Sequence, residues 1–199
     1  MKLNRRMFLG AMASGTAGLV APRAFASVQH SDRPALLPQA MAALDAHSSR
    51  IASRDLLGIV DFSSHSREAR FHLVDVANGR IASSLLVSHG RGSDPGNSGW
   101  VQQFSNRPGS NASSKGSYVT GNTYYGKHGR SRRLDGLDPE NNNAFQRAIV
   151  IHGADYVSRD MARSQGRVGR SQGCFAVSRN DIGELLDRLG PGRLLVAAR

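Results

Sequence analysis

The stretch GRSQGCFAV, residues 169–177, holds two kinds of nucleophile, Ser171 and Cys174. Ser171 lies in a G-x-S-x-G pattern, which in serine hydrolases marks a nucleophile on a strand–turn–helix elbow. That elbow requires a histidine later in the chain, and all seven histidines (30, 47, 65, 72, 89, 128 and 152) precede Ser171. Ser171 is therefore read as a turn serine that hydrogen-bonds local backbone and supports its neighbours. Cys174 is the only cysteine, so no intramolecular disulfide forms. A lone cysteine can simply be a small buried apolar residue. A reactive one must ionise and needs a base or cations beside it. His152 ends the apolar segment FQRAIVIHG (145–153), and Cys174 opens the short run CFAV. Two adjacent strand ends would bring imidazole and thiol together. Gly173 would let backbone approach a reacting carbon, and the N–H groups of Gly173 and Cys174 would face a developing oxyanion. Arg167 and Arg170 would favour thiolate and attract an anion. The scattered histidines, with no H-E-x-x-H and no cysteine pair, argue against a metal centre, and no cofactor is expected.

These residues need a scaffold. Leu36, Leu37, Ala40, Met41 and Leu44 recur at helical spacing, predicting a helix over 35–47. LLGIVDFS (56–63) reads as a strand. RFHLVDV and RIASSLLV flank Asn78-Gly79, which predicts a hairpin with a type I′ turn. Residues 88–117 form a long Gly-, Ser-, Asn- and Pro-rich segment, expected to be a packed loop beside a cleft, anchored by Trp100 and Phe104. Residues 117–126 read as strand or hairpin, and 128–143 as a second polar loop. Ser178 with Asp181 resembles a capping box ahead of a helix carrying Ile182, Leu185, Leu186 and Leu189. Gly190-Pro191-Gly192 stops that helix before a last strand, RLLVAA. The expected class is mostly β (α+β), with two peripheral helices and no internal repeat.

Residues 1–26 read as an export signal. Arg5-Arg6 precedes a short, Gly-rich apolar run, and AFA (24–26) offers a cleavage site, so the pattern is of the twin-arginine type. Cleavage would leave no membrane span. Of 26 basic and 15 acidic residues, it would remove Lys2, Arg5, Arg6 and Arg23 and no acid, taking the formal charge from +11 to +7. An exported basic protein meets anionic envelope polymers in the periplasm or cell envelope. No nucleic-acid-binding motif is present. Nothing in the sequence defines an oligomeric state.

His152-Gly153 followed by Ser171-Gln172-Gly173-Cys174 resembles the L,D-transpeptidase catalytic domain (YkuD-like) family, in a divergent murein L,D-transpeptidase-like branch. The resemblance covers roughly residues 55–197. It divides the chain into the signal (1–26), a helix-bearing extension (27–54) and a catalytic domain (55–199). It implies a β-sandwich-like fold, Cys174 as nucleophile, His152 as base held by a backbone carbonyl at Gly153, and Ser171 and Gly173 in support. The implied substrate is the peptidoglycan stem peptide, cut at a diaminopimelate L-centre with loss of D-alanine. Two positions depart from the family pattern. Gln172 stands where the motif usually has His, and Ala176 where many members have Arg. Arg170, Arg147 or Arg179 would then have to bind the substrate carboxylate. Three readings follow: an L,D-transpeptidase; an L,D-carboxypeptidase or other peptidoglycan hydrolase with the same Cys/His site; and a non-catalytic envelope-binding domain.

Overall fold

The computed structural model describes residues 33–199. The proposed signal lies outside them. Among the described residues no helix is long and apolar enough to cross a membrane. The architecture of the described residues is mostly β, as expected: one mixed sheet of eight strands with three short helices. In chain order the strands are β1 (Leu56–Asp61), β2 (Ala69–Asp75), β3 (Arg80–Leu86), β4 (Gly116–Gly126), β5 (Gly129–Gly136), β6 (Val150–Ala154), β7 (Phe175–Ser178) and β8 (Leu194–Ala198). Their order across the sheet is β3-β2-β1-β8-β4-β5-β6-β7. The β1–β8 and β6–β7 pairs are parallel and the rest antiparallel. The Ser88 N–H donates to the Ala176 carbonyl (2.8 Å), so the segment leaving edge strand β3 meets edge strand β7 and the sheet curls.

The curl encloses a core of Phe62, Phe71, Tyr118, Ile151, Phe175 and Leu186, among others. β6 and β8 are buried along their whole length, which is why β8 reads as an uninterrupted apolar run and β6 as one broken only by His152. On the opposite face, helix α1 (Leu37–Ala46) lays Ala40 and Leu44 against Leu57, Ile59 and Val196. Burying a leucine such as Leu44 contributes about 1.5–3 kcal/mol. Helix α3 (Ile182–Arg188) buries Leu185 and Leu186 at the predicted spacing. Ser178 does contact Asp181 (Oγ to Oδ2, 2.7 Å), but at the end of β7, and the helix starts only at Ile182.

Three expectations are corrected. The β2–β3 connection is not a type I′ turn: only Gly79 has positive φ (69°), and its N–H reaches the Asp75 carbonyl (2.8 Å) across a four-residue loop. Residues 129–136 are a strand, not loop. β5 pairs with both β4 and β6, and Lys127-His128 form the tight turn of the β4–β5 hairpin. A third helix, α2 (Arg159–Gln165), is capped by Ser158, whose Oγ accepts from the Met161 N–H. Arg132 shows why β5 escaped its composition. It is buried, with its guanidinium donating to the Gly121 and Leu186 carbonyls (both 2.7 Å). A long cationic side chain can thus occupy a buried strand position when its head finds main-chain acceptors.

Candidate active site

Cys174 immediately precedes β7, and Phe175 beside it is anchored in the core between Phe62 (ring centroids 6.1 Å) and Tyr118 (5.5 Å). The loop ahead of it is tied down on three sides. Ser171 N–H donates to the His89 carbonyl and Arg91 N–H to the Ser171 carbonyl (both 2.8 Å). Ser113 Oγ accepts from Gly90 N–H (3.0 Å) and donates to the Gly173 carbonyl (3.4 Å). Gly173 has φ 113°, and a Cβ there would lie 2.7 Å from the Ala112 carbonyl oxygen. Gly90 packs so closely that its Cβ would lie 2.8 Å from Gly173 Cα. Both positions require glycine because two loops cross backbone to backbone.

Ser171 is 5% exposed and spends its hydroxyl inside this loop. Its Oγ donates to the Cys174 carbonyl (2.7 Å) and accepts from the Gly173 N–H (3.1 Å). That arrangement fits a supporting serine. It corrects one expectation: the Gly173 N–H is committed to Ser171 and does not face an oxyanion, which leaves the Cys174 N–H as the motif's candidate donor.

His152 lies inside β6, opposite Ser131 on β5 and Ala176 on β7. Its Nδ1 is 3.0 Å from the Gly153 carbonyl oxygen. A carbonyl only accepts, so Nδ1 carries the proton and Nε2 keeps the basic lone pair. The ring is 2% exposed, and burial pushes its pKa down to about 4, with the Gly153 carbonyl opposing and His128 adding to the fall. Burial also pushes the Cys174 thiol up, against the Val150 backbone, Arg147 and Lys127, which favour thiolate. The thiol donates to the Ala148 carbonyl (3.6 Å); among the described residues it makes no hydrogen bond to His152. Ala148 itself has φ 53°, a left-handed conformation costing roughly 1–2 kcal/mol in a residue with a Cβ, so strain sits beside the thiol.

Cys174 and His152 open onto one cavity of about 680 Å³. Arg91, Lys127, Arg133, Arg147 and Arg170 line it, and no carboxylate does. The expected substrate-binding pair is largely engaged. Arg147 donates to the Ser105 carbonyl (2.8 Å) and the Ala112 carbonyl (2.5 Å), and Arg170 to the Asp94 carbonyl. Both hold the loop that walls the cleft. Arg179 pairs with Asp155 (2.5 Å) on the surface, and Arg167 donates to the Gln165 carbonyl. Ala176 is fully buried beside Val157, Ala162 and Val168, where an arginine head would lose its hydration. A packed loop does run beside the cleft, as expected, but residues 116–117 of the expected segment already belong to β4, and Arg91–Ser93 form a short 3-10 turn. Phe104 anchors it against Phe62 (5.8 Å), but Trp100 is 49% exposed and Val101 takes the buried place.

Sequence reasoning missed Arg91 and the whole hairpin wall. His128 stacks on His152 with ring centroids 4.1 Å apart, and Arg133 lies over Tyr124 at 4.3 Å. The available signal was Tyr124-Tyr125-Gly126 and Gly129 flanking a two-residue turn.

A thiol just ahead of β7 and an imidazole on the adjacent strand β6 thus share one basic cleft of a curled sheet. The family model described as L,D-transpeptidase catalytic domain matches residues 29–197, and the chain belongs to that family. No curated protein matches it. Among solved structures it is similar to an L,D-transpeptidase from Mycobacterium smegmatis, at 13% identity over 73% of this chain and 59% of the other, with a TM-score of 0.46. It is also similar to one from Xylanimonas cellulosilytica (19%; 81% and 70%; 0.42). A third is L,D-transpeptidase 3 from Mycobacterium tuberculosis in complex with a faropenem-derived adduct (13%; 73% and 60%; 0.46). The chain thus spans about 59% of the length of the first of these.

Proposed function

We propose that the protein is an exported peptidoglycan L,D-transpeptidase working through a thioester on Cys174. The observation that carries the reading is the chain's sole thiol, partly exposed in a carboxylate-free basic cleft it shares with an imidazole whose Nε2 is left basic. The raised thiol and lowered imidazole both favour the neutral pair at rest. Proton transfer therefore accompanies attack, rather than preceding it as in a preformed ion pair.

His152 Nε2 takes the Sγ proton as sulfur bonds to the carbonyl carbon at the diaminopimelate L-centre. The Cys174 N–H donates to the oxyanion. Collapse breaks the C–N bond, and the proton on Nε2 passes to the departing D-alanine amine. A second stem's amine then attacks the thioester, gives a proton to Nε2, and sulfur leaves and is reprotonated. Pro108 and Gly109 on the loop wall, which Arg147 holds through the Ser105 and Ala112 carbonyls, shield one side of the thioester from water. Residues 1–26, as a twin-arginine signal, would deliver the protein to the periplasm or cell envelope, where this substrate lies.

The test is product mass analysis after incubation with tetrapeptide muropeptides. Dimers joined through two diaminopimelate residues are expected. Cys174→Ala abolishes them, and His152→Ala slows them about 10²–10⁴-fold. Tripeptide alone at high acceptor concentration would reject transfer in favour of a carboxypeptidase. No product together with no carbapenem adduct on Cys174 would leave a binding domain.

A further inference from the structure

Arginines outside the cleft are commonly neutralised: Arg50, Arg130, Arg179 and Arg193 pair with Asp135, Asp187, Asp155 and Asp55 at 2.5–2.9 Å. Inside the cleft the pattern reverses. Arg91, Lys127 and Arg133 have no carboxylate partner among the described residues. They come from three separate elements. Arg91 begins the short turn whose N–H binds Ser171, Lys127 occupies the hairpin tip, and Arg133 on β5 pairs in register with Val150, itself a cavity residue. Arg133 is held by Tyr124 through its guanidinium face, which leaves its N–H edges for a ligand. Like charges gathered in a concave site repel one another, and an anionic ligand relieves that repulsion.

We infer that this cleft reads the free carboxylates of its substrate, with Arg91, Lys127 and Arg133 as specificity-determining side chains, so that stems amidated on their glutamyl and diaminopimelyl carboxyls are disfavoured. The inference rests on the proposed function for its substrate class. An unmodified tetrapeptide stem carries carboxylates on the D-glutamyl residue, the diaminopimelate D-centre and the terminal D-alanine. Amidation preserves the shape of the first two and removes their charge. It replaces an acceptor suited to charge-assisted bonds with an amide whose NH2 faces a cation. Arg147 and Arg170, already engaged with loop carbonyls, contribute field more than contacts.

The test measures binding separately from turnover. Calorimetric titration of Cys174→Ala protein with the free-acid tetrapeptide and with its doubly amidated form is expected to show at least about a tenfold preference for the free acid. The preference should shrink in 0.5 M salt. It should also shrink when Lys127→Gln, Arg133→Gln and Arg91→Gln are introduced into the same protein. Equal affinities, tighter binding of the amide, or a preference that survives all three substitutions overturns the inference. Cross-linking by the unsubstituted protein with equal affinities would sink the inference alone. A charge preference without any turnover would sink the transpeptidase reading alone. No binding of either peptide overturns both.

Discussion

The imidazoles of His128 and His152 stack at 4.1 Å between centroids and 23° between planes. The second imidazole of the site therefore comes from a hairpin tip, while position 172 is an exposed glutamine. The stacked ring covers one face of the His152 imidazole, and its charge disfavours the imidazolium.

Replacing His128 separates these two effects. His128→Phe keeps a ring over His152 and removes the charge, whereas His128→Ala uncovers it. An NMR titration should show the His152 pKa rising from about 4 in both variants, further in Ala than in Phe. Cys174 acylation should fall more in Ala. Equal losses in the two would mean that the stack does not position the base.

Ser171→Ala leaves the Gly173 N–H and Cys174 carbonyl without their shared partner. The expected cost is about 1–3 kcal/mol of stability, read by denaturant unfolding, with slower acylation but an adduct still on Cys174. An adduct that disappears in Ser171→Ala yet persists in Cys174→Ala would make the serine the nucleophile.

A buried relay behind the site sets an acid limit on stability. Arg70, fully buried, donates to His89 Nδ1 (2.7 Å), so His89 must offer its other nitrogen, as N–H, to Asp94 (Oδ2, 3.3 Å). Protonating Nδ1 would expel the arginine. Burial, and next the Arg70 charge, bring the His89 pKa down to about 4. The unfolded chain takes its proton first, near pH 6.5, so stability is full above that pH and declines toward pH 4. The slope is up to about 1.4 kcal/mol per pH unit for each such histidine. His152 adds a second contribution of the same sign. His89→Gln can accept from Arg70 and donate to Asp94 without titrating. Denaturant unfolding between pH 6.5 and 4.5 should show a shallower slope in that variant; an unchanged slope would remove His89 from the account.

Local patterns carried the parts of this protein whose cause is local. The i, i+3, i+4, i+7 spacing of Ile182, Leu185, Leu186 and Leu189 marked α3, and the apolar runs marked β6 and β8, because burial on one stripe or on both faces writes itself into residue order. The same logic argued against a serine-hydrolase elbow at Ser171, since the order of histidines along the chain is a property of sequence alone. What tertiary structure decided is whatever depends on distant residues sharing space. β5 was hidden because Arg130, Arg132 and Arg133 look like loop residues until carbonyls, an aspartate and a tyrosine from other segments receive them. Whether Arg147 meets substrate or a loop carbonyl follows from which partner is nearest after folding. A polar group's role is set by the partner that replaces its water, and the partners of these arginines lie up to 57 positions away in the chain, beyond the reach of any local pattern.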